Sequence, residues 1–353
     1  MLNTVAHVHH ERINNFTFLR LMSAVFVIFC HSWDLLRIPN PLGSFIAYSS
    51  LQCSLGVLAF FTISGFLVTE SYIRHNNFYY YIKARALRIF PGLLVSVLIT
   101  ALVIGPIATS LTLRDYFNSG LTFRYIFQNI TLFHLQMNLP GVFENNIFPD
   151  AVNGSLWTLP IEFKLYCIVG LVGIIGSFSR KYLRIPLLIV FISAYALSKY
   201  SHSSNLITVQ AVFSFMLGAL VYLLKEKIIL SYRILFLSCI LFFLSPPQYQ
   251  AIFSLLGFSY FIFLIAFSRK LSFSFLDKYG DYSYGLYIYA FPVQQLLIHF
   301  FPHINPISLF GSSFSITLFL AVFSWFIVEK PALALKGRMR NKIRQTDLLE
   351  VSN

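Results

Sequence analysis

Residues 16–38 read FTFLRLMSAVFVIFCHSWDLLRI and form the first long apolar run of the chain. The run has the length of a transmembrane helix, yet it contains Arg20, His31 and Asp34. At about 1.5 Å rise per residue, the arginine and the histidine lie roughly 16 Å apart along the axis, about half a bilayer. Ionisable side chains at membrane depth are costly and normally face a protein interior or a water-filled cavity. These three residues are therefore predicted to belong to a functional site.

The composition around this run is that of a polytopic membrane protein. Of the 353 residues, 57% are hydrophobic and 11% are charged, and the mean hydropathy is +0.71, outside the range of ordinary soluble domains. No small-residue cleavage site follows the first run, so it is expected to remain as a membrane helix and not to be removed as a signal peptide. The four cysteines lie in apolar runs without metal or disulfide spacing, so they are expected to be buried apolar residues, and no metal site is predicted.

Ten apolar segments are long enough, or nearly long enough, to span a bilayer. Together they predict an all-α polytopic membrane protein with about ten transmembrane helices. The segments cover residues 16–38, 45–69, 92–110, 155–176, 184–200, 206–224, 233–248, 251–267, 281–300 and 307–328. The seventh and eighth are the weakest predictions, because both are short and only Ser245-Pro246-Pro247-Gln248 separates them.

The placement of positive charge orients the predicted helices. With the N-terminus in the cytoplasm, 20 of the 26 lysines and arginines fall on the cytoplasmic side and four on the external side. This bias agrees with the positive-inside rule and places both termini in the cytoplasm. It also accounts for the net charge of +13 without nucleic acid, because no basic run is interleaved with aromatic residues outside the spans.

One membrane domain, residues 1–330, is expected, followed by a short basic cytoplasmic tail, residues 331–353. No internal repeat and no soluble domain is visible in the sequence. The long external connection, residues 111–154, has an amphipathic pattern that fits two interpretations equally well. It could hold a surface helix that shapes the mouth of a cavity, or it could be a connector lying on the lipid headgroups.

His31 and Asp34 are three residues apart and share a helix face. A carboxylate beside an imidazole fixes its tautomer and stabilises its protonated form, as a general base requires. The alternative is a histidine that only hydrogen-bonds a neighbouring helix, with Asp34 hydrated at the outer interface. Glu162 in the fourth span is predicted to lie at the same depth as His31, roughly 10 Å from the external side. Lys164 is two residues on and faces elsewhere, so Glu162 is predicted to have no partner on its own helix.

Arg85 and Arg88 share a helix face at the cytoplasmic interface, just before Pro91. Such a pair can anchor to lipid phosphates or can grip a phosphorylated ligand through bidentate hydrogen bonds, and the sequence leaves both roles open. Ser64-Gly65 in the second span permits close approach of a backbone, either from a packed helix or from a ligand. On its own, this pair favours helix packing.

Taken together, these residues resemble the acyltransferase-3 family of membrane O-acyltransferases. The resemblance covers nearly the whole chain and rests on five segments that occur in order. They are Arg20 with ten residues to His31; Ser64-Gly65-Phe66; Arg85-Ala86-Leu87-Arg88 followed by Pro91; Asn153 with Leu156-Trp157-Thr158-Leu159 and Glu162; and Trp325 with Glu329-Lys330-Pro331. The segments NNFTFLRL and YGLYIYAFPVQQ look most like stand-alone members that O-acetylate bacterial surface polysaccharides, such as the O-antigen of lipopolysaccharide.

The chain departs from the family pattern in the ninth span. Many members carry a histidine there, where this chain has Tyr289-Ala290-Phe291-Pro292, so no role of that histidine is carried over. The chain also shows no hydrolase-type domain of the sort that some members use to complete transfer. The membrane domain is therefore expected to act alone.

The resemblance implies a multi-pass O-acetyltransferase of the bacterial inner membrane. Its donor would be cytoplasmic acetyl-CoA, and its acceptor a hydroxyl of a lipid-linked glycan such as O-antigen or its repeat unit. His31, oriented by Asp34, would deprotonate the hydroxyl, and Glu162 would position the acceptor or assist proton transfer. A covalent acetyl-His31 intermediate is an open alternative. The resemblance also implies donor-side roles for Arg20, Ser64, Gly65, Arg85 and Arg88, and acceptor binding by Asn153, Trp157 and Tyr166.

A transporter or exporter of a glycan or small solute is the rival interpretation. It would use the same buried charges as a proton relay, and it predicts internal repeats with broken spans in matching halves. No such symmetry is visible. Membrane lipids and the glycan are the expected partners, whereas the sugar, the acylated hydroxyl, the identity of the acyl group and the oligomeric state are not predicted.

Overall fold

A computed structural model describes residues 4–10, 14–42, 54–149, 151–178, 189, 193, 206–268 and 270–336. This part of the chain is helical and contains no β-strand. The helices are α1 (Val5–His10), α2 (Phe16–Asp34), α3 (Leu55–His75), α4 (Phe78–Ile99), α5 (Gly105–Ala108), α6 (Leu113–Asn118), α7 (Gly120–Thr131), α8 (Thr158–Phe178), α9 (Leu206–Leu223), α10 (Tyr232–Leu244), α11 (Pro247–Ala266), α12 (Ser283–Phe300) and α13 (Pro306–Ser324). The prediction of an all-helical chain is confirmed.

Seven helical stretches in the described part are long and apolar enough to cross a membrane. They are Phe16–Asp34, Leu55–His75, Phe78–Ala108, Gly154–Ile175, Leu206–Leu223, Tyr249–Ala266 and Pro306–Lys336. The chain is therefore a multi-pass membrane protein. Helix α10 is apolar but shorter, and α12 is not among the seven. The predicted span 184–200 lies outside the described residues except for 189 and 193, so the count of ten and the position of the termini stay predictions.

The chain divides into two compact units. Unit 1 takes in Met1–Asp34, Ile38–Arg74 and Cys167–Ser283, and unit 2 takes in Leu35–Arg37, His75–Tyr166 and Tyr284–Asn353. In unit 1, an aromatic core surrounds Phe66, whose ring contacts those of Phe16, Tyr222, Phe263 and Phe267. In unit 2, a core cluster contains Leu35, Leu36, Ala151, Phe291, Ile298 and Leu309.

The polar N-terminal segment is folded into unit 1. Val5 and Val8 of α1 are buried in the same core cluster as Phe66, and the Val5 N–H donates to the carbonyl of Ile228 at 2.9 Å. The His9 ring stands edge-on to Phe66, with a centroid distance of 5.4 Å, and its Nε2 lies 3.0 Å from Glu70 Oε1. The short helix therefore contributes to the core even though its sequence is polar overall.

Pro106, Pro292 and Pro331 lie inside helical stretches of unit 2, and each has a local compensation. Pro292 has no N–H, so it cannot bond the carbonyl of Ile288 four residues earlier. That carbonyl accepts hydrogen bonds from Asn153 Nδ2 at 3.0 Å and from Ser96 Oγ at 3.2 Å. Before Pro106 and Pro331 the chain widens into π turns, Thr100–Ile104 and Trp325–Glu329, which avoid the clash that a proline ring makes with the preceding turn.

Two predicted helix limits near prolines are wrong. The third span does not begin at residue 92, because α4 begins at Phe78 and Pro91 lies inside it. The last span does not end at residue 328, because the helix continues through the second π turn to Lys336. The predicted boundary between domain and tail, after residue 330, therefore lies within a helix, and residues 337–353 lie outside the described residues.

The long connection after Ala108 contains helices α6 and α7, and α7 packs on α4 and on the π turn that follows it. The Tyr116 hydroxyl of α6 donates to the carbonyl of Ala101 at 2.7 Å. Burial raises the pKa of Tyr116 to about 12, so this hydroxyl stays protonated and remains a donor. A Cβ atom at Gly105 would lie 2.0 Å from the Tyr116 hydroxyl oxygen, so only glycine permits this approach. Further along, the buried Gln295 of α12 donates to the carbonyls of Phe148 and Ala151, both at 2.7 Å.

Replacing Gly65 by alanine is expected to destabilise unit 1. The added Cβ would lie 2.0 Å from the backbone oxygen of Phe215 in α9, and a backbone clash cannot be relieved by changing a rotamer. We expect a loss of about 1–3 kcal/mol or more, measured as a lower midpoint of thermal unfolding in detergent. Gly311→Ala is the matched control, because a Cβ there meets nothing within 4 Å and alanine is the better helix former. Equal midpoints for the two variants would contradict the packing.

Candidate active site

His31 and Asp34 lie in the last turn of α2, in unit 1. His31 is half-buried, whereas Asp34 is exposed. Asp34 makes no hydrogen bond or ion pair with any residue that the structure describes. The predicted contact in which Asp34 orients His31 is therefore not seen. The helix dipole also disfavours a carboxylate at the C-terminal end of a helix.

Arg20, one of the predicted donor-side residues, is held by an acidic residue that sequence reasoning did not single out. Its Nε lies 3.1 Å from Asp281 Oδ2, and the two side chains are 24% and 13% exposed. Asp281 Oδ1 also accepts from the backbone N–H and the hydroxyl of Ser283 at the start of α12. The pair is therefore fixed from both ends, and it joins the start of α2 to the segment before α12 within unit 1.

A buried asparagine reinforces this junction. Asn15 Nδ2 donates to the carbonyls of Ile265 and Leu271, at 2.8 and 2.6 Å, and its Oδ1 accepts from the Phe273 N–H at 2.8 Å. Asn15 is 1% exposed, so the buried side chain is well satisfied, as the low-dielectric interior requires. These hydrogen bonds fix the position of Asn15, which immediately precedes α2.

Asp281→Asn is expected to disturb Arg20 without unfolding the protein. The amide keeps the shape of the carboxylate and can still accept from Ser283, but it loses the ionic attraction to the guanidinium. If Arg20 serves the donor side, we expect the KM for the acyl donor to rise several-fold, with a smaller change in kcat, in steady-state assays of purified protein. Asp277→Asn, an acidic residue of the same preceding segment, is the control. Unchanged kinetic constants for Asp281→Asn would show that the pair does not serve the donor.

Glu162 has a partner on its own helix, which corrects the prediction that it lacks one. The hydroxyl of Tyr166, four residues on, donates to Glu162 Oε1, as the helical period allows. The backbone carbonyl of Tyr166 accepts from the Tyr81 hydroxyl at 2.8 Å. The guanidinium carbon of Arg85 lies 6.0 Å from the centre of the Tyr166 ring, a distance typical of a cation–π contact. These four residues of unit 2 thus form one cluster.

Arg85 retains hydrogen-bonding capacity within this cluster. Its Nε is buried and has no hydrogen-bond partner among the described residues. An unsatisfied buried donor is costly, and such groups in native structures often mark a ligand site. Arg85 is therefore a candidate to receive an anion or a carbonyl oxygen.

Arg88 is turned towards a buried carboxylate. Its guanidinium lies 3.6 Å from Glu329 Oε2, and the Glu329 side chain is 2% exposed. The same guanidinium lies 5.6 Å from the centre of the Tyr284 ring, while the Ser324 hydroxyl donates to Glu329 Oε1 at 3.1 Å. The ion pair fixes the guanidinium within unit 2, and the lipid-anchoring and ligand-binding roles of Arg88 both stay predictions.

The remaining predicted residues fall into two groups. Gly65 packs on the backbone of α9, and Gly218 of α9 packs in turn against Thr62 of α3. Helix packing therefore accounts for Gly65. A donor-side role for Ser64-Gly65 stays a prediction. Asn153 is 2% exposed and donates a hydrogen bond to the carbonyl of Ile288. Trp157 is half-buried. Their predicted binding of an acceptor likewise stays a prediction.

The structure thus groups the predicted residues by unit. Unit 1 contains Arg20, His31, Asp34, Ser64 and Gly65, and unit 2 contains Arg85, Arg88, Asn153, Trp157, Glu162 and Tyr166. Sequence reasoning missed Asn15, Asp281 and Tyr284, and it quoted Glu329 without a role. Among the described residues, no group of three or more histidine, cysteine, aspartate or glutamate side chains could hold a metal ion.

Comparisons with known proteins identify the family of the chain. Residues 13–326 match the acyltransferase-3 family, described as an acyltransferase domain. An O-acetyl transferase of Shigella phage Sf6 is 27% identical over 339 residues, which cover 91% of this chain and 96% of the phage protein. Nodulation protein 10 of Rhizobium leguminosarum bv. viciae is 34% identical over 157 residues, which cover 43% of this chain and 42% of that protein. No solved structure matches the chain.

Proposed function

The chain belongs to the acyltransferase-3 family and is a multi-pass membrane acyltransferase, and from this premise we propose that it moves an acetyl group from acetyl-CoA to a hydroxyl of a cell-surface glycan. The name of the phage relative supports acetyl as the group transferred. We place the protein in the bacterial inner membrane, where cytoplasmic acetyl-CoA and a lipid-linked glycan are both accessible. Lipopolysaccharide O-antigen, or its repeat unit, is the proposed acceptor.

The observation that carries this proposal is the environment of the two α4 arginines. Arg88 is fixed by Glu329 and Tyr284, and Arg85 lies over Tyr166 with its Nε unbonded among the described residues. Fixed guanidinium groups bind phosphate with defined geometry. Arg85 and Arg88 are therefore proposed to hold the phosphates of CoA, and Arg20 is proposed to serve the same donor.

His31 is proposed to act as the general base. Its imidazole would take the proton from the sugar hydroxyl while the hydroxyl oxygen attacks the thioester carbonyl. The tetrahedral intermediate would then collapse, breaking the carbon–sulfur bond, and the imidazolium would return the proton to the CoA thiolate. In this route the proton lost by the sugar hydroxyl ends on the CoA thiol, and the electron pair of the broken carbon–sulfur bond stays on sulfur. In the alternative route, the imidazole itself attacks the thioester and carries the acetyl group before the sugar hydroxyl receives it.

Glu162 is proposed to position the acceptor. Its Oε1 accepts from Tyr166, and a carboxylate has further lone pairs with which to accept from a sugar hydroxyl. Asn153, Trp157 and Tyr166 are proposed to contribute to acceptor binding.

The cellular experiment compares surface polysaccharide from a strain that expresses the protein with polysaccharide from the same strain without the gene. We expect O-acetyl resonances in the NMR spectrum of purified polysaccharide only when the protein is present. Identical spectra from the two strains would exclude that polysaccharide as the acceptor.

A further inference from the structure

Helix α7 of the external connection has two chemically different faces. Thr122, Tyr125 and Asn129 are buried, whereas Phe123 and Phe127 are 54% and 71% exposed. The two phenylalanines are four residues apart and share a helix face. In this helix, therefore, the buried side chains each carry a polar group, whereas the two phenylalanines project outwards, the reverse of a helix on a water-soluble protein.

Hydrogen bonds hold this orientation. Thr122 Oγ1 donates to the carbonyl of Tyr116 at 2.7 Å, and Asn129 Nδ2 donates to the carbonyl of Gln136 at 2.9 Å. The Gln136 N–H donates back to Asn129 Oδ1 at 3.2 Å. Turning the helix to cover the phenylalanines would break these bonds and bury their polar groups without partners, which is costly. The apolar face is thus presented outwards by a fixed framework.

The framework also fixes the depth of α7. Thr122 is hydrogen-bonded to Tyr116, and the Tyr116 hydroxyl donates to the carbonyl of Ala101. Ala101 lies inside the apolar stretch Phe78–Ala108, which is long enough to cross a membrane. Ala101 lies seven residues before the end of that stretch, a distance of about 10 Å along the helix axis. The outer part of the same stretch exposes Leu102, Val103 and Ile107 at 47%, 51% and 53%, as a lipid-facing helix does. Because α7 packs on α4 and on the π turn that contains Leu102 and Val103, its apolar face is expected to meet the same lipid as that stretch.

Charge on the exposed side matches a lipid headgroup. Arg124 is exposed and lies about 80° around the helix from the midpoint of the two phenylalanines, at 100° per residue. A helix in the membrane interface typically buries large apolar residues in the acyl chains. Basic residues at the edge of that apolar face reach the lipid phosphates. Arg114 in α6 is exposed as well.

We propose that α7 is an interfacial helix that inserts Phe123 and Phe127 among the acyl chains of bilayer phospholipids, in the leaflet around the Ala108 end of α4–α5, with Arg124 at the phosphates. This resolves the two alternatives that the sequence left open for the connection. The connection is folded on the protein, and its outer surface lies in lipid. The interaction is independent of acyl transfer.

The test uses tryptophan fluorescence of the full-length protein in phosphatidylcholine vesicles, with and without bromine on the acyl chains. Phe127→Trp adds one reporter at an exposed position where the fold tolerates an aromatic ring. Asn145→Trp, at another exposed position of the same connection, is the matched control. The native tryptophans are common to all samples, so subtracting the fluorescence of the parent protein isolates the signal of each added tryptophan. The vesicles contain no polyprenyl lipid, so quenching identifies phospholipid chains.

We expect the Phe127→Trp reporter to be quenched several-fold more strongly by brominated lipid than the Asn145→Trp reporter. Its emission should also be blue-shifted, as in an apolar environment. Size-exclusion chromatography in detergent verifies that both variants fold like the parent. Equal quenching of the two reporters, or a water-like emission from Phe127→Trp, would overturn the proposal.

Discussion

Replacing His31 with alanine is expected to abolish O-acetylation of the surface polysaccharide. Removing a positioned general base typically costs about 10²–10⁴-fold in rate, and loss of a covalent carrier would cost at least as much. The measurement is the integrated O-acetyl signal in the NMR spectrum of purified polysaccharide, at matched protein levels. Because His31 is half-buried near the end of α2, truncating it is not expected to unfold the helix.

Met22→Ala is the matched control for this substitution. Met22 lies on the same helix and is 42% exposed, so its truncation should leave both folding and acetylation close to the parent. Full acetylation by His31→Ala would exclude both proposed mechanisms. The two mechanisms differ in one further observable, because only the covalent route predicts an acetylated α2 peptide by mass spectrometry after incubation with acetyl-CoA alone.

Glu329→Gln is expected to weaken acetyl-CoA binding through its effect on Arg88. The buried carboxylate holds the guanidinium at 3.6 Å, and the amide would keep its shape but remove its charge. We expect the released guanidinium to lose one charge-assisted hydrogen bond to a CoA phosphate, worth about 1.5–3 kcal/mol, which corresponds to roughly 10- to 150-fold in affinity. Binding of acetyl-CoA to the detergent-purified protein, measured by calorimetry, gives this ratio directly.

A purely structural role would give a different result. Removing one member of a buried ion pair can also destabilise the fold by several kcal/mol, so the thermal midpoint is measured in parallel. Lys330→Gln, the adjacent and exposed residue, changes charge without touching the buried pair and is the control. If Glu329→Gln lowered the midpoint but bound acetyl-CoA with parental affinity, Glu329 would stabilise the helix and not orient a donor-binding arginine.

Length and hydropathy were sufficient to predict the helical, multi-pass fold, because an apolar run of membrane length has few other structures available to it. Helix limits near prolines could not be predicted in this way. The apolar pattern predicts boundaries at Pro91 and Pro331, but the helix continues through both, and a π turn accommodates the second. The compensation depends on the rest of the fold, which local sequence does not reveal.

The site could be predicted in part. The spacing of Arg85 and Arg88 identified two residues that the structure places in polar clusters, and the i, i+4 spacing of Glu162 and Tyr166 was a signal that could have predicted their hydrogen bond. Pairs such as Arg20 with Asp281, or Arg88 with Glu329, join distant parts of the sequence. Helical periodicity carries no information on such partners, because tertiary packing alone brings them together.

Transfer of label from acetyl-CoA by the purified protein tests the central claim most directly. The full-length protein in phospholipid vesicles would be supplied with radiolabelled acetyl-CoA and chemically de-O-acetylated polysaccharide, or its lipid-linked precursor. The account predicts labelled glycan together with an equal amount of free CoA thiol, both absent with His31→Ala. Translocation of the glycan across the vesicle membrane with neither thiol release nor labelled product would contradict it and would indicate a transporter.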